Sequence, residues 1–204
     1  PPPDRYSEAH YAWFERADDL FQQQRYLKAI ECYDKVTQFT PNDYLAWFKR
    51  GIAFENLHNY DDAATSYQRV IEIQPEDYLA WFKRGKALEN LKRYEEALAA
   101  YDKVIQIQPD NYWAWHDRGK VLENSGQFDD AVAAYDRAVH LKPDFRPAVE
   151  SRKRLLMQLR DVDQLYNLQH YQEAIAACNR TLRDDPSDAN AWLMRGMAME
   201  NLTR

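Results

Sequence analysis

The chain has 204 residues, 45% of them hydrophobic and 29% charged, with 27 basic against 33 acidic side chains and a net charge of −6. No apolar run is long enough to span a bilayer, and the acidic balance argues against a nucleic-acid partner, leaving Arg152-Lys153-Arg154 as a local basic run that solvates a helix. The composition is that of a soluble, helical protein expected in a reducing, cytoplasmic compartment.

Residues 1–6 open with Pro1-Pro2-Pro3 and no methionine, and read as the end of a semi-rigid, Pro-rich linker from a longer protein. Residues 7–142 then repeat one pattern at a period of 34. Pro41, Pro75 and Pro109 fall in register, as do Trp47, Trp81 and Trp115, and Gly51, Gly85 and Gly119. Further along come Tyr60, Tyr94 and Phe128, then Ala63, Ala97 and Ala131, then Tyr67, Tyr101 and Tyr135 before the next proline, Pro143. An earlier unit fits with Trp13, Tyr26, Ala29 and Tyr33, although Ala17 replaces the glycine and Ser7 the proline. Each unit reads as two amphipathic helices joined by a turn. In the third, Trp81, Leu88 and Leu91 share one face of the first helix, while Ala97, Tyr101, Val104 and Ile107 share one face of the second.

Glycine inside a helix costs roughly 1 kcal/mol against alanine, so Gly51, Gly85, Gly119 and Gly196 are expected where a side chain would push the paired helix away. The prolines stop each second helix, Asp43, Asp77 and Ser187 lie near helix starts as caps, and Asp61-Asp62, Glu95-Glu96 and Asp129-Asp130 favour the positive end of the second-helix dipole. Cys32 and Cys178 lie in second helices about four repeats apart, too far for a disulfide, and are expected to be packed thiols.

From Pro143 to Pro186 the spacing is 43 instead of 34, so residues 143–185 form an irregular unit with nine extra residues. Tyr171, Ala174 and Cys178 occupy the usual second-helix slots, which places the extra length earlier. Leu155, Leu159, Val162 and Tyr166 follow at spacings of four, three and four, predicting one extended first helix from Pro147 to about Leu168, longer by about 13 Å. A tolerated insertion, a junction in the array and a projecting element gripped by a partner all fit this. Residues 186–204 hold Trp192, Gly196 and Leu202, the first helix of a further, truncated unit. Leu193, Met194, Met197 and Met199 put apolar groups on several sides of it, so either more repeats follow or this helix docks against another chain.

The Trp, Gly, Tyr, Ala, aromatic and Pro pattern at this period resembles the tetratricopeptide repeat (TPR) family, in a bacterial-style array. The resemblance implies an all-α fold, a right-handed superhelical solenoid of antiparallel helix pairs, whose concave surface is lined by the first helices. Matched slot by slot, the groove positions flanking the repeat tryptophan are Tyr11 and Phe14, Leu45 and Phe48, Leu79 and Phe82, and Trp113 and His116. Asp18, Ile52, Lys86 and Lys120 follow one turn on, and Asn56, Asn90 and Asn124 form a recurring column whose amides suit a peptide backbone. Lys49, Lys83, Lys86 and Lys120 offer to steer an acidic segment. The family's chaperone-tail clamp wants lysine where Phe14 stands and asparagine where Asp18 stands, so binding of that type is not expected.

His10, His58, His116, His140 and His170 are scattered and no nucleophile-base pair occurs, so no catalytic residue, metal or cofactor is expected. The function expected is a non-catalytic scaffold holding a protein or peptide segment in its groove. Two other readings remain open: a regulatory or substrate-recruiting arm of a larger enzyme such as a signalling kinase or glycosyltransferase, and self-association through the C-terminal helix.

Overall fold

The repeated pattern folds into helices throughout. The computed structural model describes residues 5–158, 162–167 and 169–203, and among them the order is α1 (Arg5–Gln22), α2 (Tyr26–Phe39), α3 (Tyr44–Asn56), α4 (Tyr60–Ile73), α5 (Tyr78–Asn90), α6 (Tyr94–Ile107), α7 (Tyr112–Asn124), α8 (Phe128–Leu141), α9 (Arg146–Gln158), α10 (Val162–Asn167), α11 (Tyr171–Asp184) and α12 (Ala189–Leu202). The architecture is an array of antiparallel helix pairs, and it divides into two compact units that meet in sequence at Val121 and Leu122.

In the first unit α1 pairs with α2, α3 with α4 and α5 with α6, while α2 on α3 and α4 on α5 continue the stack. The pairing is built around tyrosine. Tyr33, Tyr67 and Tyr101 are fully buried, and a Cβ placed on Gly51 or Gly85 would lie 2.7 Å or 2.9 Å from the ring of Tyr67 or Tyr101. These two glycines are therefore needed for close approach. Leu88, Ala97 and Val104 complete a dry interior with Val70, Ala80 and Ala87. Cys32 is buried in a separate cluster with Ala17, Ala29 and Val36, and burial raises its thiol pKa.

Proline and tryptophan cooperate at each repeat boundary. The indole Nε1 of Trp47 donates to the Pro41 carbonyl at 2.9 Å, and Trp81 and Trp115 repeat the bond to Pro75 and Pro109 at 2.8 and 3.0 Å. Asp43 and Asp77 cap α3 and α5 through Ala46 N and Ala80 N at 2.9 and 3.1 Å. The turns that end the first helices place Gln24, His58 and Lys92 at φ near +60°, each followed by an N–H that reaches back across the last helical turn, as Arg93 N does to Leu88 O at 2.9 Å.

In the second unit α8 packs on α9, α10 on α11 and α12, and α11 on α12. Gly126 and Gln169 keep the left-handed turn position, so α10 ends where a first helix should end despite the extra residues. The expected single helix from 147 to 168 is described as α9 and α10, and its continuity through 159–161 lies outside the described residues, as does Leu159. Leu155, Leu156 and Leu165 are buried, as is Cys178. Trp192 Nε1 donates to Pro186 O at 3.0 Å, the same stitch as in the first unit.

Two local expectations need correction. Asp188, not Ser187, caps α12, accepting from Ala191 N at 2.9 Å, because Ser187 Oγ is turned to Asp185 Oδ1 at 2.7 Å. That bond, together with one from Ser187 N, lowers the Asp185 pKa. Gly196 is the second: nothing lies within 4 Å of the Cβ it lacks, so no neighbour forces glycine there.

Candidate functional site

The first helices of the first unit present two columns at the 34-residue period, and the columns differ in character. Tyr11, Leu45, Leu79 and Trp113 stand out from the surface, at 66%, 41%, 42% and 47% exposure. Phe14, Phe48 and Phe82, three residues further along, are half-buried and meet Tyr33, Tyr67 and Tyr101 edge to face with ring centroids 5.5–6.0 Å apart. Such pairs add about 1 kcal/mol to the burial of the rings. The second column is thus the floor on which the first one stands. His116 takes the fourth place in that floor, 6% exposed, with Nδ1 2.9 Å from Asp117 Oδ1.

Four of the expected residues come together in one recess. Leu79, Phe82, Lys86 and Trp113 line a cavity of about 400 Å³ with Tyr78 and Asn111. Tyr78 was not among the residues singled out from sequence, nor was Tyr44, which is also exposed and lies one period earlier. Their shared spacing with Tyr112 is the signal that would have found them.

The lysines of this face are engaged with carboxylates of neighbouring first helices. Lys49 bonds Asp18, Lys83 Nζ lies 2.8 Å from Glu55, Lys86 Nζ 2.9 Å from Asp117, and Lys120 Nζ 2.7 Å from Glu89. Tyrosines share the same carboxylates: Tyr33 donates to Asp18 at 2.6 Å and Tyr101 to Glu89 at 3.1 Å. Tyr67 Oη lies beside Glu55 without reaching hydrogen-bond geometry, leaving it buried and unsatisfied among the described residues. Burial first, then the neighbouring carboxylates, push all three hydroxyls above the ordinary phenol range, so they remain donors. In the second unit Tyr135 donates to Glu123 at 2.7 Å and Arg154 bonds the same carboxylate at 2.9 Å.

Asp117 is the most buried of these acids. Burial alone would raise its pKa, but the His116 hydrogen bond and Lys86 outweigh it and hold the carboxyl below its usual range.

The asparagine column folds back on its own helices. Asn56 Nδ2 donates to Ile52 O and Asn90 Nδ2 to Lys86 O, both at 2.8 Å, and Asn201 does the same to Met197 O at 2.9 Å. All three close the end of a helix. Asn124 is exposed and belongs to the second unit. Among the described residues no group of three or more His, Cys, Asp or Glu side chains is placed to hold a metal ion. No helix among them is long and apolar enough to cross a membrane.

Solved structures share this fold. The MamA protein aligns with a TM-score of 0.73 at 20% identity, covering 88% of this chain and 97% of that one. MamA 41-end from Desulfovibrio magneticus RS-1 gives 0.62 at 19%, covering 94% of each. The first TPR of Spaghetti (RPAP3), bound to the HSP90 peptide SRMEEVD, gives 0.54 at 24%, covering 59% of this chain and 95% of that one. At these identities the likeness is one of fold. No curated protein sequence matches the chain. Family models described as tetratricopeptide repeat match residues 48–112 and 159–202, residues 88–156, and, as TPR repeat, residues 17–57. With one model alone matching more than half of its residues, the chain belongs to the tetratricopeptide repeat family.

Proposed function

We propose that the chain is a non-catalytic scaffold whose first unit holds a segment of a partner protein against Tyr11, Leu45, Leu79 and Trp113. The observation that carries this reading is an exposed apolar column standing on a complete core: Phe14, Phe48, Phe82 and His116 already close the interior beneath it. Exposed apolar groups in a contiguous row mark interaction surfaces. Lys86 and Lys120 set the charge of the face through their bonds to Asp117 and Glu89, and Asn56 and Asn90 contribute at the helix ends. Residues 7–142 form the regular array in this reading, with 143–185 as the irregular unit and 186–204 as one further helix. The two buried cysteines fit a reducing, cytoplasmic setting.

The first TPR of Spaghetti (RPAP3) is bound to the HSP90 peptide SRMEEVD, but this chain pairs its groove lysines internally and carries Phe14 and Asp18 at the clamp slots. Its ligand is therefore anchored by apolar side chains. The test is capture of partners from lysate by the chain beside a variant with Tyr11, Leu45, Leu79 and Trp113 all changed to alanine, with melting followed in parallel. A partner retained only by the unaltered chain, at similar melting temperatures, supports the reading; equal recovery on both removes it.

A second reading has its own observation. Trp192, Leu193, Met199 and Leu202 are exposed on α12, which favours self-association through this helix. Sedimentation should then show size falling on dilution, and a constant monomer would dismiss it.

A further inference from the structure

We propose that the face of α1 and α2 carrying Trp13, Arg16 and Leu20 docks an acidic amphipathic helix of a partner protein, which sets a carboxylate on Arg16 and an aliphatic side chain, one helical turn earlier, over Leu20. The site uses none of the groove column and is independent of the groove reading.

The chemistry of the occupant is read from the array itself. An arginine follows each repeat tryptophan, and where the preceding second helix supplies an aspartate the two pair: Arg50 Nε meets Asp34 Oδ1 at 2.7 Å, Arg118 Nε meets Asp102 Oδ1 at 2.7 Å and Arg152 Nη1 meets Asp136 Oδ1 at 3.0 Å. Four residues before these aspartates stand Ile30, Leu98 and Val132, and Ile30 shares a buried cluster with Phe54, which holds the place of Leu20. Each seated helix therefore offers an aliphatic group and, one turn on, a carboxylate on the same face. Arg84 shows the alternative: its preceding slot holds Gln68, and it turns to Glu96 of the following helix at 3.6 Å. Arg16 has neither solution. Among the described residues no carboxylate pairs with its guanidinium, which lies 5.8 Å from the centroid of the Trp13 ring. Lys28 stands where Glu96 stands, and Cys32 stands where Ser66 Oγ accepts from Arg50 Nη1 at 2.7 Å.

Charge agrees with the empty slot. Trp13, Arg16 and Leu20 line a cavity of about 310 Å³ in which Arg16, Arg25, Lys28 and Lys35 face the single acid Glu31, on a chain of net charge −6. Lys28 lies in the first turn of α2, against the positive end of the helix dipole, where α4, α6 and α8 carry Asp62, Glu96 and Asp130. Beside it Leu27 is 67% exposed, where the same helices carry Asp61, Glu95 and Asp129. A residue set against its local preference is expected where function uses it. The start of α1 settles the source of the occupant. α1 has 18 residues against 13 in α3 and α5, and the added length lies at its beginning, so helix fills the place that the proline turn takes before α3 and α5. A preceding second helix has no such turn by which to enter, which commits the site to a helix from another chain.

The test titrates the whole chain with two helical peptides, lactam-bridged because a short free helix is marginal in water. The first carries leucine and, four residues on, aspartate in a Glu-rich background; the second has lysine in place of that aspartate. Binding is read by calorimetry on the chain and on Arg16→Glu, Lys28→Glu and Trp113→Ala, with melting followed in parallel. The aspartate peptide should bind the chain at least about tenfold more tightly than the lysine peptide, and Arg16→Glu should reverse that order. Arg16 is exposed, so the melting temperature of Arg16→Glu should stay close to that of the unaltered chain. Lys28→Glu gives Arg16 the acid that Arg84 finds in Glu96, and should weaken the aspartate peptide by competing with it. If neither peptide binds, or if Arg16→Glu binds both as the unaltered chain does, the proposal is overturned. Binding lost in Trp113→Ala and kept in Arg16→Glu would put the peptide in the groove and overturn it as well.

Discussion

The first helices α3 and α5 and the last helix α12 carry the same motif, yet only the first two are covered. In α5, Leu88 is 1% exposed and Gly85 sits under the Tyr101 ring; in α12 the matching Met199 is 47% exposed and Gly196 faces open space. The difference teaches that a repeat slot specifies a residue without specifying its job. The tyrosine of the following helix makes Gly85 indispensable, and without such a ring the same glycine is only a weak helix former.

The largest effect expected from this contrast is at the leucine slot. Leu88→Ala should cost about 3 kcal/mol in chemical denaturation, as buried leucines do, whereas Met199→Ala should cost less than about 0.5 kcal/mol. Equal losses would mean that α12 is covered in solution. Next comes glycine. Gly85→Ala should destabilise by about 1–3 kcal/mol through overpacking against Tyr101, while Gly196→Ala should be neutral or stabilise by up to about 1 kcal/mol. A penalty at Gly196 would break the comparison.

Asp117 sharpens the contrast by pH. Its carboxyl titrates lower folded than unfolded, so the stability it supplies is complete above about pH 4 and drains away as pH falls through the folded pKa. Asp117→Asn should flatten that acid limb of melting temperature against pH, and an unchanged limb would remove Asp117 as its source. Smallest of all, Trp113→Ala should move stability by roughly 0.5 kcal/mol, against about 3 kcal/mol for the half-buried Phe82→Ala. Similar losses at both would merge the two columns into one core.

Much of this was legible because periodicity reports on what every repeat needs. The proline to tryptophan spacing, the glycine beneath tyrosine and the acidic first turns at Asp61-Asp62 and Glu95-Glu96 all recur, and the helices begin within a residue or two of where those signals stand. The exposed column was legible too, since Trp113 stood beside a Trp115 that already filled the core slot. Less visible was that Phe48 and Phe82 belong to the floor, because an aromatic at helical spacing looks the same whether it caps a core or offers itself to a ligand. The lysine pairs were hidden for another reason. They join residues 28 or 31 apart, off the repeat period, and their charges change from repeat to repeat. The asparagines looked like a ladder because the bond that occupies them runs back four residues within one helix.

Those ion pairs also give the array a reading direction. Asp18 meets Lys49, whereas at the same 31-residue relation Lys86 meets Asp117, with the signs exchanged. Excising residues 75–108 would keep every proline, tryptophan and glycine in step, but would set Asp117 where Lys83 had stood, opposite Glu55, with Ile52 in place of its own lysine. Two carboxylates would then compete for Lys120. The apolar pattern allows the units to be shuffled like identical beads, and the charges number them.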